Sequence, residues 1–282
     1  MSAAHTIYCL GEVWLALDTA GPLTLTAAQQ TIYPRAGGPA AALALACADR
    51  CAPVSLLAQV GEDAAGRTLA AALATAGVDM SRVSFSQAFP TPLQLGTGRE
   101  ALSYRRQSAG LQLAPEQLQP FPFQAGDALL FASSGLCDSP LRYTHLAALA
   151  ATWDSGTLTC FAPCLCMSSG PEEAPTLPEM ARLLLPRADI AVLNEAELPL
   201  LFGTTEMRVA LFSLLRGHTQ LILLCCGDGL HAFTRTAHAF LPGAVSTVPQ
   251  MAAAALSALL QQDFSPQKLP RLTVKQLAAL LG

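Results

Sequence analysis

Short apolar runs with β-type character alternate along this chain with longer segments of helical periodicity. This pattern is typical of parallel strands joined by crossover helices. Each run is nearly continuous in apolar residues, as strands covered on both faces require. The predicted strands are residues 6–10, 54–60, 128–132, 157–161, 190–193 and 220–225. The sequence therefore predicts an α/β fold with a mostly parallel central sheet.

The helical segments between these strands have the start signals of crossover helices, since several open with Pro or with an acidic first turn. The predicted helices are residues 38–48, 64–76, 140–152, 177–185, 195–202, 206–215, 249–261 and 272–281. No repeat and no linker divides the 282 residues, so we expect one domain over residues 1–282.

Two segments, residues 14–34 and 85–106, break the alternation. Both combine Thr, Gln and Leu in a period of two with Gly or Pro turns, which predicts exposed strands. If they pair, they form a small sheet beside the main one, either as a lid over a cleft or as a dimer contact. Ordinary β-hairpin insertions are the alternative.

Composition excludes several classes of function. Hydrophobic residues make up 52% and charged residues 13%, and the net charge of −4 comes without a basic run, so a nucleic-acid partner is not expected. No run reaches the 18 apolar residues of a membrane span, so no membrane association is expected. Nine cysteines without framework spacing, after an N-terminus with no secretory layout, favour reduced thiols in the cytoplasm.

One long stretch carries a family resemblance. Residues 36–83, AGGPAAALALACADRCAPVSLLAQVGEDAAGRTLAAALATAGVDMSRV, resemble the first signature region of the ribokinase or PfkB carbohydrate kinases. A GG pair opens an Ala-rich helix, a strand ends in V-G-x-D-x-x-G, and a second helix leads to G-V-D. Weaker matches are CLGEVWLALD from Cys9, REALSYRRQSAGLQLAPEQL from Arg99, FAPCLC from Phe161 and NEAELPLLFG from Asn194. The resemblance is strongest to the fructokinase-like branch.

The resemblance implies a ribokinase-like three-layer sandwich with a small β-sheet lid, and we expect a homodimer that forms through that lid. It also implies transfer of the γ-phosphoryl group of ATP to a sugar or nucleoside hydroxyl, with Mg²⁺. The implied sugar-side residues are Glu12, Asp18, Gly37, Gly38 and Arg105. The implied nucleotide-side residues are Asn194, Glu197, Gly227 and Gly229, with Glu197 acting on Mg²⁺ indirectly.

The family's catalytic motif, D-T-x-G-A-G-D, aligns without a gap to Ser-Thr-Val-Pro-Gln-Met-Ala at residues 246–252. The position of the general base is Ala252, and the two glycine positions are Pro249 and Met251. Pro249 removes a backbone N–H, and Met251 adds bulk where glycine lets the backbone approach a phosphate. The sequence therefore predicts that both the base and the anion hole are lost.

Other polar family positions are replaced as well. The expected sugar-binding Asp and Asn are Ala16 and Ala42, and the Asp, Asn and Arg of F-D-P-N-x-R are Ala162, Cys164 and Cys166. The nucleotide loop, CCGDGL, is one residue shorter than its family counterpart and has Cys225 in place of Thr. Nucleotide binding is thus expected to be weakened.

Two hypotheses follow from these losses. A degenerate homologue would keep the scaffold and a ligand pocket, acting by binding or regulation. An active kinase on an unusual substrate would need a displaced carboxylate base, for which Asp18 and Asp228 are the candidates. Asp18 also fits a solvated turn before Thr19.

Three further groups have structural alternatives. Asn194 and Glu197 match a helix capping box as well as a magnesium site. Cys160, Cys164 and Cys166 suggest a soft metal site or buried free thiols. The five histidines lack ligand spacing and are expected at the surface or at strand ends: His5, His145, His218, His231 and His238.

Overall fold

The computed structural model describes residues 5–21, 30–97, 101–153, 155–165, 176–262 and 265–281. In this part of the chain, nine strands form one sheet. They are β1 (Ile7–Leu10), β4 (Val54–Gly61), β5 (Val83–Ser86), β8 (Ala128–Phe131), β9 (Leu158–Phe161), β10 (Ile190–Asn194), β11 (Leu221–Cys226), β12 (Gly229–Phe233) and β13 (His238–Pro242). Their order across the sheet is β13-β12-β11-β10-β9-β8-β1-β4-β5.

The strands from β11 to β5 pair in parallel, whereas β12 and β13 add an antiparallel edge. The six predicted strands are confirmed, with ends that differ by a residue or so. The antiparallel edge was not predicted, because its residues mix polar and apolar types instead of forming a continuous apolar run. β5 was missed for the same reason, and it takes residues 85 and 86 out of the predicted lid segment.

Eight helices of the described residues cover the two faces of this sheet. They are α1 (Pro39–Asp49), α2 (Ala64–Thr75), α3 (Pro140–Thr152), α4 (Thr176–Leu184), α5 (Leu198–Phe202), α6 (Met207–Arg216), α7 (Val248–Gln261) and α8 (Val274–Leu281). One apolar core contains α1, α2, α7 and α8, and a second contains α3 to α6. The predicted three-layer α/β sandwich is therefore confirmed.

Local sequence explains where several helices begin and end. Pro39, Pro140 and Pro249 lie in the first turns of α1, α3 and α7, where a missing N–H leaves no helical bond unmade. Gly203 ends α5 in the left-handed conformation that glycine adopts most easily. The predicted helix at 195–202 begins with a 3-10 turn, Glu195–Glu197, before α5.

A second, four-stranded sheet confirms the predicted small sheet beside the main one. Its strands are β2 (Trp14–Thr19), β3 (Ile32–Gly37), β6 (Leu93–Leu95) and β7 (Leu102–Tyr104), in the order β3-β2-β6-β7. Residues 22–29 and 98–100 of the predicted lid segments lie outside the described residues.

The two faces of this small sheet differ in chemistry. Its inner face bears Trp14 and Ala16, both buried, followed on the same side by Asp18. Its outer face bears the apolar residues Leu15, Leu17, Ile32, Leu93, Leu95, Leu102 and Tyr104, which the strand registers bring side by side. Of these, Ile32, Leu102 and Tyr104 are clearly exposed.

Within the described residues, no single helix is both long and apolar enough to cross a bilayer. Glu195–Phe202 and Met207–Arg216 reach that length only as a pair bent by 65°.

Candidate functional site

The parallel strands of the large sheet end at one edge, where α/β proteins usually bind their ligands. The first turn of α7 lies beside the end of β11, since Sδ of Met251 is 3.8 Å from Sγ of Cys225. Cys225 in turn pairs with Asn194 at the end of β10. This edge therefore brings together the catalytic-motif segment, residues 246–252, and the predicted nucleotide-side residue Asn194.

The first turn of α7 is closed by its own side chains. Thr247 is the N-cap, and its Oγ1 accepts a hydrogen bond from the backbone N of Gln250 at 3.4 Å. Oε1 of Gln250 accepts from the backbone N of Thr247 at 3.1 Å. Pro249 has no N–H, and the N of Met251 donates to the carbonyl of Thr247 at 2.9 Å. Most backbone donors that would hold an anion are thus already satisfied or absent.

Ala252, the position that the sequence predicts for the family's base, has no exposed surface, and Met251 is 2% exposed. Both pack into the core that contains α1, α7 and α8. Neither side chain can accept a proton, and neither can be replaced by a charged group without burying that group. Ala252 therefore contributes packing at this position.

Glu197 occupies a fully buried position, and its carboxylate is held by backbone donors. Oε1 accepts from the N of Leu165 at 2.8 Å, and Oε2 accepts from the N of Asn194 at 2.9 Å. Oδ1 of Asn194 accepts from the N of Glu197 at 3.1 Å, which completes a capping box. Burial raises the pKa of Glu197 above its usual value, although the two N–H groups oppose this shift.

These contacts do not fit a magnesium site at Glu197. Mg²⁺ prefers carboxylates that keep open oxygen positions and bound waters. Both oxygens of Glu197 already accept backbone hydrogen bonds, and the residue has no exposed surface. The capping alternative that the sequence left open for Asn194 and Glu197 is the one formed in the structure.

The predicted nucleotide loop is the tight turn between β11 and β12. The backbone N of Gly227 donates to Oε2 of Glu195 at 3.1 Å. Gly229 has a φ of 151°, and a Cβ there would lie 3.0 Å from Cα of Pro242 in β13. Gly229 is therefore required by the neighbouring strand, while Gly227 is held by a carboxylate that would repel a phosphate.

Glu12 and Arg105 form a buried ion pair between the large sheet and the lid. Nε of Arg105 donates to Oε1 of Glu12 at 3.0 Å, and a second guanidinium nitrogen contacts Oε2. The guanidinium also lies over the ring of Trp14, 4.5 Å from its centroid. The structure thus brings two predicted sugar-side residues together, with their charged groups directed at each other.

Gly37 and Gly38 pack against Trp14 where β3 leads into α1. A Cβ on Gly38 would lie 2.7 Å from the carbonyl oxygen of Glu12, and one on Gly37 would overlap the Trp14 indole. Gly38 also has a φ of 97°, which glycine adopts without strain. The GG pair is therefore explained by the close approach of Trp14 and Glu12.

Asp18 lies in β2, so the alternative of a solvated turn residue is wrong. Its carboxylate forms an ion pair with Arg35 of β3, diagonally across the strand register. The other displaced candidate, Asp228, is 65% exposed at the β11–β12 turn, 3.3 Å from Nε2 of His231. Because the two residues belong to different sheets, the structure does not bring them together.

Cys160 and Cys164 are buried, and neither forms a disulfide. Burial raises the pKa of the Cys160 thiol far above its ordinary value, because no cation compensates the loss of solvation. Cys166 lies outside the described residues. The two described members fit the free-thiol alternative.

The histidine prediction was wrong for His145 and for His231. His145 is 1% exposed in α3, with Nδ1 2.9 Å from the carbonyl oxygen of Leu141. Burial lowers the pKa of His145 to about 4. His231 is 6% exposed in β12, where it stacks on Phe240. Both histidines lie where the apolar periodicity of the sequence calls for a buried side chain. The sequence alone does not show which group a single buried histidine contacts.

Sequence reasoning also missed Thr247, Gln250, Glu195 and Trp14. Thr247 and Gln250 match the capping-box spacing T-x-x-Q, so their role was visible in the sequence. The contacts of Glu195 with Gly227 and of Trp14 with Arg105 join segments that are distant in the sequence. No local sequence pattern predicts such contacts.

Comparison with known proteins agrees with this architecture. Residues 5–254 match the family described as pfkB family carbohydrate kinase. Fructokinase-1 of Zea mays is 30% identical over 215 residues, covering 73% of this chain and 66% of the relative. Fructokinase-2 of Solanum lycopersicum is 25% identical, covering 73% and 65%. The chain thus matches slightly less than two thirds of these relatives' lengths.

Solved structures share the fold. Fructokinase with bound ATP from Xylella fastidiosa superposes with a TM-score of 0.82 at 22% identity, covering 99% of this chain and 90% of that one. Aminoimidazole riboside kinase from Salmonella enterica, complexed with aminoimidazole riboside and an ATP analogue, gives 0.79 at 19% identity, covering 98% and 90%. With the family match along residues 5–254, this chain belongs to the pfkB family of carbohydrate kinases, in its fructokinase-like branch.

Proposed function

We propose that this chain is a fructokinase-like member of the family that has lost phosphoryl transfer and acts by binding a small sugar-like ligand, in a regulatory role. The observation that carries the proposal is the first turn of α7. There, Thr247 and Gln250 cap each other, and the base position is the buried Ala252.

The size of the missing contributions supports this proposal. A general base contributes about 10²–10⁴-fold to a rate, and one oxyanion donor about 10²–10³-fold. The two factors need not multiply, because groups that act together are not additive. Even the smaller loss would bring a kinase turnover of about 1–100 s⁻¹ to about 1 s⁻¹ or below.

The inner face of the lid supports retained ligand binding. Asp18 and Arg35 lie on the side of β2 and β3 that also bears the buried Trp14 and Ala16. A carboxylate and a guanidinium provide acceptors and donors for the hydroxyl groups of a sugar. The fructose-bound fructokinase from Vibrio cholerae O395 shares this fold, with a TM-score of 0.79 at 20% identity.

The nucleotide side supports weak or absent binding of ATP and Mg²⁺. Glu195 accepts a hydrogen bond from the backbone N of Gly227, and both carboxylate oxygens of Glu197 accept hydrogen bonds from the backbone. An incoming phosphate would need to displace these contacts and would face the carboxylate of Glu195.

The alternative is an active kinase that uses a displaced carboxylate base. The contacts of Asp18 and Asp228 do not favour it. Asp18 is already engaged in an ion pair with Arg35, so its carboxylate is not directed at an acceptor hydroxyl. Asp228 points toward His231 at an exposed turn.

We propose further that the chain forms a homodimer through the lid. The outer face of the small sheet carries seven apolar residues in register, and three of them are clearly exposed. Such a contiguous patch is typical of an interaction surface. Light scattering should give a dimer mass that Leu17→Asp reduces to a monomer, while Val209→Asp, on the exposed side of α6, leaves it unchanged.

The remaining proposals concern organisation and location. We propose one domain over residues 1–282, supported by the helices on both faces of a single large sheet. We propose a cytoplasmic location, supported by the described cysteines, none of which forms a disulfide. Cell fractionation with thiol labelling tests the location.

Thermal unfolding with a panel of monosaccharides tests the binding role. An occupied site raises stability by mass action, by about 2.7 kcal/mol at a ligand concentration of 100 times Kd. We expect at least one sugar to raise the Tm, and Asp18→Asn to abolish that shift. Asp138→Asn, which alters an exposed pair with Arg142, is the matched control. Absence of a shift with every sugar would contradict ligand binding.

A further inference from the structure

The turn that joins β11 to β12 brings together a thiol, a carboxylate and an imidazole. Cys226 ends β11, Asp228 lies in the turn, and His231 lies in β12. One ligand-type atom from each side chain lies within 4.8 Å of the other two. None of the three side chains takes part in the ligand binding proposed above.

The distance between two of these atoms matches one edge of a tetrahedral coordination sphere. Zinc binds nitrogen and oxygen ligands at about 2.0–2.1 Å, which places two such ligands about 3.3 Å apart on a tetrahedral edge. Nε2 of His231 is 3.3 Å from Oδ1 of Asp228. Sγ of Cys226 lies within 4.8 Å of a ligand-type atom of each of the other two side chains. Thiolate and imidazole together favour a zinc-like ion over Mg²⁺ or Ca²⁺.

The imidazole of His231 is oriented by a second histidine. Its Nδ1 is 3.1 Å from Nε2 of His238 on β13, and its ring stacks on Phe240 with centroids 4.3 Å apart. Zinc-binding histidines commonly use their second nitrogen in a hydrogen bond that fixes the ring. With Nδ1–H of His231 donating to His238, Nε2 presents its lone pair toward Asp228 and Cys226.

The charge around the turn also favours a cation. The carboxylate of Glu195 accepts a hydrogen bond from the backbone N of Gly227, and Asp228 adds a second carboxylate at the turn. A bound divalent ion would compensate the carboxylates and stabilise the thiolate.

We propose that Cys226, Asp228 and His231 bind one transition-metal ion of the zinc class, with the fourth position open to water. His238 is a positioning residue, since it contacts His231 and not the ion. Metal binding here would join β11 to β12 and hold the turn in its present conformation. The proposal is independent of whether phosphoryl transfer is retained.

Titration of the chelator-treated full chain with Zn²⁺ and with Co²⁺ tests this site. We expect one equivalent to bind, with a thiolate-to-cobalt charge-transfer band in the Co²⁺ form. Cys226→Ser should remove that band and weaken zinc binding by at least about 10-fold, and His238→Ala should weaken it by roughly 10–100-fold. Cys225→Ser is the matched control, because Cys225 lies on the other face of the same strand.

Asp228→Asn tests the site without disturbing the fold, since the Asp228 side chain is 65% exposed. It should weaken binding by at least about 10-fold while leaving the Tm of the metal-free protein unchanged. Lack of stoichiometric binding by the wild-type chain would overturn the proposal. So would a charge-transfer band that persists in Cys226→Ser and disappears in Cys225→Ser.

Discussion

Thr247 and Gln250 exchange hydrogen bonds at the start of α7, with the backbone N of each residue donating to the side chain of the other at 3.1 and 3.4 Å. The same turn contains Pro249, which has no N–H to offer. A helix start that commonly serves as an anion site is here stabilised by its own side chains.

Thr247→Ala should lower the free energy of unfolding by about 0.5–2 kcal/mol, because it leaves a backbone donor of α7 without its cap. Urea denaturation measures this change. Ser246→Ala, on the preceding and only partly exposed residue, should change stability by less than about 0.5 kcal/mol. Equal effects of the two substitutions would show that the cap does not contribute.

Ala252→Asp should destabilise the protein by at least about 1–3 kcal/mol, the cost of burying an unpaired polar group. Ala252 has no exposed surface, and its surroundings in the core are apolar. Gln261→Asp, at an exposed position of the same helix, is the control. A restored aspartate that left stability unchanged would mean that a polar cleft accepts the side chain.

The buried ion pair of Glu12 with Arg105 should be costly to break. Arg105→Met leaves the carboxylate of Glu12 buried without its partner, for which we expect a loss of about 3–5 kcal/mol. The double variant Glu12→Gln with Arg105→Met should recover part of this loss. Arg142→Met removes an exposed pair with Asp138 and should cost no more than about 1 kcal/mol.

The interactions tested above differ in how visible they were in the sequence. The parallel core strands followed from their apolar runs, and the T-x-x-Q spacing at Thr247 was readable without a structure. The contact of Arg105 with Glu12 joins residues 93 positions apart, so only the folded chain reveals it. The β12–β13 hairpin escaped prediction because alternating strands at an exposed edge resemble loops in composition.

Stability should fall as the pH decreases from about 6.5 to 4, in part because of His145. Its pKa is lowered to about 4 by burial, so the unfolded chain takes up a proton in this range while the folded chain does not. A pKa of about 4 in place of the ordinary 6.5 corresponds to about 3 kcal/mol of stability, which is fully present above pH 6.5 and is lost as the pH falls to about 4.

Denaturant unfolding at pH 7 and pH 4.5 measures the contribution of His145. Glu197 acts with the opposite sign, since its raised pKa favours the folded state at acidic pH. The comparison is therefore between wild type and His145→Gln, which should lose less stability on acidification. An identical pH dependence would show that His145 titrates normally in the folded protein.

Sugar-dependent production of ADP by the full-length chain tests the central claim most directly. With ATP, Mg²⁺ and fructose or other monosaccharides, we predict no ADP above the sugar-free blank, because Ala252 cannot accept a proton and Thr247 and Pro249 leave few free backbone donors in the α7 turn. A turnover within the range of about 1–100 s⁻¹ that is typical of kinases, abolished by Asp18→Asn or Asp228→Asn, would contradict the account.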